Sequence, residues 1–133
     1  MVTADSSGLP NVSPKEIFCL FEDQILIANI ASLGSERNIK ENPKVCLSFI
    51  HILKQKGSKL KGECEIVTEN HIHWNSYFSL LNQLTEGNYP IITIFLFTPI
   101  SFKPIIAPSY FVFPDQSIAN KIRAAKINYT LDK

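Results

Sequence analysis

Two apolar runs, "QILIANI" at 24–30 and "VCLSFIHI" at 45–52, flank a polar stretch of fourteen residues, 31–44. A reversal between two strands needs only a two-residue turn such as Asn-Gly or Asp-Gly. The stretch must therefore carry structure of its own. In "ASLGSERNIKENP", Ser35 has the character of an N-cap, Glu36 is a favourable acid for a first turn, and Pro43 stops a helix after Asn42. The expected helix is barely two turns long, too short to persist without tertiary contacts or a ligand. Its free backbone amides, with Ser32, Gly34, Ser35, Arg37 and Asn38 gathered around them, suit a phosphate monoester. The alternative is a capped surface helix whose Arg37 faces water.

The rest of the chain is strand-rich. "NVSPKEIFCLF" and "QILIANI" are separated by Glu22 and Asp23 and read as a hairpin. "VCLSFIHI" is a third strand. "KLKGECEIV" is a fourth, with Leu60, Gly62, Cys64 and Ile66 on one face and Lys59, Lys61, Glu63 and Glu65 on the other. The lysines around Gly57 read as a solvated hairpin loop. "ENHIHWNSYFSLLNQL" places Ile72, Tyr77, Leu80, Leu81 and Leu84 near helical spacing, ended by Gly87 and Pro90. "IITIFLF" and "SFKPIIA" add two strands, the second marked by Pro104 as an edge or bulge. "VTA" at the start is a very short further run. From Asp115 a terminal helix is expected, capped by Asp115 or Ser117, with Ile118, Ile122 and Ala125 on one face. Six strands in meander-like order with one crossing helix predict a mainly β protein, a closed or partly closed barrel forming a single domain over residues 1–133 with a helical tail.

Composition narrows the function classes. Of 133 residues, 13 are basic and 12 acidic, so no field of one sign points to nucleic acid or a membrane surface as partner. Cys19, Cys46 and Cys64 are odd in number, lack CxxC spacing and sit in apolar or alternating runs, as small core residues of a reduced cytoplasmic protein do. The start "MVTADSSG" has neither a basic nor an apolar leader region, and no segment approaches the roughly 20 apolar residues that span a bilayer.

Taken in order, Gly8, Pro10, Val12, Ser13 and Pro14, then Gly34, Ser35, Asn38 and Ile39, then Asn42, Pro43 and Val45, and finally Gly62 and Ile66 form an ordered set. By this set the chain resembles the pyridoxamine 5'-phosphate oxidase-like, FMN-binding split-barrel family. The resemblance implies a six-stranded, Greek-key-like split barrel that pairs into a homodimer and holds FMN at the interface. By position, Ser32, Gly34, Ser35 and Asn38 would hold the phosphate, with Arg37 adding charge. Ser13, Pro14 and Lys15, with Ala28, Asn29 and Ile30, would lie along the flavin ring and ribityl chain. Lys15 would stabilise an anionic reduced flavin. Members that oxidise pyridoxamine phosphate carry further basic residues and a longer C-terminal segment, and that set is absent here.

Other chemistries have less to stand on. His71 and His73 fall on different faces of the expected helix and His51 on a separate strand, so no metal site is expected. Asp5, Glu16 and Glu63 lie in separate elements, and no cysteine has a neighbouring histidine of catalytic pattern. Two functional readings remain: a flavin-dependent oxidoreductase acting on a small molecule, and a non-catalytic flavin store, sensor or interaction module. A deazaflavin-using reductase is a third, disfavoured because Lys15 and Arg37 supply little basic charge for its longer cofactor tail.

Overall fold

The computed structural model describes residues 1–129. Its strands are β1 (Val2–Ala4), β2 (Pro10–Val12), β3 (Phe18–Phe21), β4 (Gln24–Asn29), β5 (Lys44–His51), β6 (Lys56–Val67) and β7 (Thr93–Ile106). Its helices are α1 (Leu33–Glu41), α2 (Trp74–Leu84), α3 (Ser109–Val112) and α4 (Ile118–Asn128). The seven strands form one sheet in the order β2-β1-β5-β6-β7-β4-β3. By contacts the chain divides into two compact units, residues 1–47 with 60–101, and residues 48–59 with 102 onward.

The strand count exceeds the expected six for local reasons. "VTA" is a true strand, paired with β2 in the register Val2↔Val12. Pro14 cannot donate to a ladder, and "NVSPKEIFCLF" is cut there into β2 and β3. "IITIFLF" and "SFKPIIA" run together as β7, whose pairing with β4 covers Thr93 to Phe97. Pro99 and Pro104 lie beyond that stretch, so neither removes a bond to β4. Glu22 and Asp23 form the expected two-residue turn, with Glu22 at φ 53° and Phe21 opposite Gln24.

In the first unit the sheet has to curl. Its edge strands β2 and β3 are successive in the chain, and the steps from Val12 to Phe18 reach at most about 21 Å. Seven flat strands would hold those edges about 29 Å apart. A split barrel resolves the mismatch, with residues 13–17 as its seam. At the two ends of the seam the amide of Ser13 donates to the Met1 carbonyl at 2.9 Å, and the Ile17 carbonyl accepts from Ala28 at 2.9 Å.

β4 and the first five residues of β7, Thr93 to Phe97, are buried on both faces, which explains their apolar runs. Leu26 and Ala28 stand opposite Leu96 and Ile94, and these four pack with Val67, Tyr77 and Leu81 beneath α2. Ile25, Ile27, Phe95 and Phe97 alternate to the other face and are equally buried. The apolar continuity of "TIFLF" is thus consumed within the chain, while Ile92 just before it stays exposed. α2 starts at Trp74, later than the periodicity predicts, and Ile72 is left outside it and exposed. Cys64 is buried, and that burial, reinforced by the neighbouring Glu65 charge, pushes its thiol up to about 12. A thiol reagent at pH 8 should therefore leave Cys64 unmodified until the chain is unfolded, checked by peptide mass spectrometry; rapid native labelling of Cys64 would contradict this packing.

The second unit holds α3 and α4. Ser117 caps α4, accepting from the Asn120 amide at 3.2 Å. Ala125 is buried as expected, but Ile118 is half exposed and Lys121 takes the inner position instead. Its ammonium donates to the Ser109 and Phe113 carbonyls at 2.9 and 2.8 Å and lies 4.9 Å from the Tyr110 ring centroid.

Candidate functional site

The seam, the end of β4 and the start of α1 meet around a cavity of about 330 Å³ in the first unit. Pro14, Ile17, Ala28 and Ile30 give it an apolar wall, extended by Leu84 and Tyr89. Lys15 supplies a cation to it and Glu16 a carboxylate. The Lys15 Nζ donates to Ser13 Oγ at 2.6 Å, Ser32 Oγ at 2.7 Å and the Pro14 carbonyl at 3.2 Å. The two serine hydroxyls are 3.2 Å apart, and the Phe95 ring centroid lies 5.9 Å from Nζ. Removal from water, with no carboxylate bonded to it, holds the Lys15 ammonium below its ordinary value of 10.5.

Beneath this cluster lies a polar knot. Asn29, 1% exposed at the end of β4, donates through Nδ2 to Glu36 Oε2 and to Thr93 Oγ1, both at 2.8 Å. Its Oδ1 accepts from the Ser32 amide at 2.9 Å. Thr93 donates to the same Glu36 oxygen at 3.3 Å, while Lys40 pairs with the other Glu36 oxygen at 2.7 Å. One buried amide thus joins β4, β7 and α1, and fixes the residue that precedes α1.

α1 differs from its expected form. It begins at Leu33, with Ser32 as N-cap, so Ser35 sits inside the first turn. Ser35 is buried and accepts from Asn11 Nδ2 at 3.3 Å. Asn38, also buried, donates to Thr3 Oγ1 at 3.1 Å. Arg37 is exposed on the outer face. Of the residues singled out from the sequence, Ser13, Pro14, Lys15, Ala28, Ile30 and Ser32 line the cavity. Asn29 lies beneath Ser32, Gly34 is in the first turn of α1, and Ser35 and Asn38 join α1 to Thr3 and Asn11. Glu36, Thr93 and Asn11 carried no local signal of this role, since their partners are up to 64 residues distant. Glu36 was legible only as a first-turn acid.

The histidines lie elsewhere. His71 and His73 precede α2 rather than occupying opposite faces of it, with ring centroids 5.6 Å apart and beside Tyr77. Among the described residues no group of three metal-ligating side chains comes together, and no helix is long and apolar enough to cross a membrane.

Comparison with known proteins agrees with this architecture. A single-residue variant of HupZ from Group A Streptococcus superposes with a TM-score of 0.66 at 20% identity, over 78% of this chain and 86% of the other. An FMN-binding protein from Syntrophomonas wolfei gives 0.64 at 17% identity, over 80% and 75%. HutZ, the heme storage protein from Vibrio cholerae, gives 0.60 at 20% identity, over 79% and 82%. No protein of curated function matches in sequence. At such identities the structural likenesses establish the split-barrel fold alone. The sequence model of the family described as pyridoxamine 5'-phosphate oxidase matches residues 1–89, two thirds of the chain and the whole stretch that builds the cavity, and the chain belongs to that family.

Proposed function

We propose that the chain binds FMN in the Lys15 cavity and acts, as a homodimer, as a flavin-dependent oxidoreductase on a small molecule. The observation that carries this reading is one cation flanked by two hydroxyls against an apolar wall, which matches a planar ring with an anionic tail. The cavity volume falls within the range of about 300–1,000 Å³ usual for ligand sites. Ser32 and the first amides of α1 would hold phosphate oxygens; Lys15 and Ser13 would face the polar edge of the ring, and Pro14, Ile17 and Ile30 would cover its face. FMN would supply electron transfer through its ring. The lysine charge would favour an anionic reduced form.

HutZ's storage role raises heme as another occupant. No histidine, cysteine or methionine lines the cavity, leaving Tyr89 and the amine of Lys15 as donors to iron, and Lys15 is already bonded to two hydroxyls and a carbonyl, so the donor set fits FMN better. Dimerisation accords with exposed apolar residues on the first unit such as Val12, Leu20 and Ile100. Fluorescence-quenching titration with FMN, FAD and hemin tests the reading. FMN should bind more tightly than FAD, and Lys15→Met should weaken FMN binding about 10- to 100-fold through loss of charge-assisted bonds worth about 1.5–3 kcal/mol. Equal affinity for the two flavins, or tighter hemin binding, would sink it. Bleaching of bound FMN by NADH or NADPH would favour the oxidoreductase over the flavin store. A monomer in light scattering at micromolar concentration would overturn the dimer.

A further inference from the structure

We propose that Ser32 is a nucleophile activated by Lys15, giving the chain a short-chain ester hydrolase activity at this cavity. An N-cap serine normally turns its hydroxyl to an amide of the first turn. Ser32 makes no such bond, although it occupies the cap of α1. Its hydroxyl faces Lys15 Nζ at 2.7 Å and Ser13 Oγ at 3.2 Å instead. Ser13 holds Nζ from the other side at 2.6 Å, and all three side chains line one cavity. Lysine replaces the histidine base of hydrolytic serine sites in several unrelated folds. The geometry places Lys15 for that role: Nζ contacts the Ser32 hydroxyl directly, its bonded partners are neutral oxygens, and partial removal from water lowers its hold on the proton, with the Met1 ammonium as the neighbouring like charge and Glu16 as the carboxylate on the same cavity wall.

The chemistry balances without a co-reactant beyond water. Neutral Lys15 takes the Ser32 hydroxyl proton as Oγ bonds to the ester carbonyl carbon, and the carbonyl electron pair moves onto its oxygen. The amide of Leu33, the residue after the nucleophile, has no acceptor within α1, whose first bond runs from Glu36 to the Ser32 carbonyl. In serine hydrolases the amide of the residue after the nucleophile faces the oxyanion, and in the proposed step the free Leu33 amide takes that part. Collapse breaks the bond to the alcohol oxygen, which leaves with the proton from Lys15. Water then adds to the acyl-serine, giving its proton to Lys15; collapse releases the carboxylic acid, and the proton returns to Ser32. Ser13 is a positioning residue that keeps Nζ between the two hydroxyls. Ile17, Ala28 and Ile30 suit a short apolar acyl group.

This activity does not depend on flavin binding, but both would use one cavity. The test is labelling of the full chain by a fluorophosphonate probe with peptide mass spectrometry, alongside hydrolysis of p-nitrophenyl acetate. We expect the label on Ser32, at a rate that rises with pH as Lys15 loses its proton. Ser32→Ala should abolish the label. Lys15→Arg, which keeps charge and hydrogen bonds but cannot give up a proton, should slow labelling by about 100-fold or more while melting normally. Label on another residue, hydrolysis unchanged in Ser32→Ala, or full labelling of a folded Lys15→Arg chain would overturn the proposal. Labelling of Ser32 in a chain that does not bind FMN sustains it and sinks only the flavin reading. FMN binding with Ser32 unlabelled when FMN is absent does the reverse.

Discussion

Gly62→Ala should destabilise the protein by about 3 kcal/mol or more, at or beyond the upper end of ordinary overpacking. A Cβ on Gly62 would overlap the backbone carbonyl of Thr98 on β7 and approach the Phe97 ring at 2.9 Å. A flexible side chain could move aside, but a sheet carbonyl cannot without displacing the strand. Since total stabilities are about 5–15 kcal/mol, urea denaturation should show a large fall in midpoint, and Gly62→Val should leave little soluble protein. A Gly62→Ala midpoint within error of wild type would mean that β6 and β7 do not approach each other as described.

The second large effect is expected at Asn29. Asn29→Leu keeps the volume but removes both amide bonds to Glu36 and Thr93 and the acceptor for the Ser32 amide. Each polar group left buried without a partner costs about 1–3 kcal/mol. Glu36 keeps Lys40 and Thr93, which limits its share. A net loss of about 3 kcal/mol should lower Tm by about 12 °C for a chain of this size. Scanning calorimetry measures it. Ser32 should also lose its fixed place, so ligand affinity at the Lys15 cavity should fall beyond what the lower stability explains. Asn29→Leu melting like wild type would show the knot to be unimportant.

Locally encoded features were legible in the sequence. The Glu22–Asp23 turn, the strand alternation around Gly62 and the helix carrying Tyr77 and Leu81 follow from spacing and turn chemistry. The ordered glycine, proline and asparagine positions carried the family. Features set by distant partners were not legible. Ser35 has the side chain of a cap, but Asn11 claims it from 24 residues away and Ser32 starts the helix. Lys121 has the look of a solvent-facing charge on α4, yet two carbonyls near α3 draw it inward. Six of the site residues named from the sequence line one cavity because the seam and the end of β4 are brought together by closure of the sheet. That closure is a property of all the strands at once and leaves no mark in any short window.

The seam also bears on how such a chain can change over time. Residues 13–17 place Ser13, Pro14, Lys15 and Ile17 on the cavity wall, yet they belong to no strand and only their ends tie into the sheet. Substitution there rewrites what the cavity offers while leaving the ladder that carries the barrel's stability untouched. Physically the segment is separable from the frame: its side chains set the cavity's chemistry, and the strands set the barrel's stability. HutZ and the FMN-binding protein from Syntrophomonas wolfei share this fold with the present chain at 20% and 17% identity.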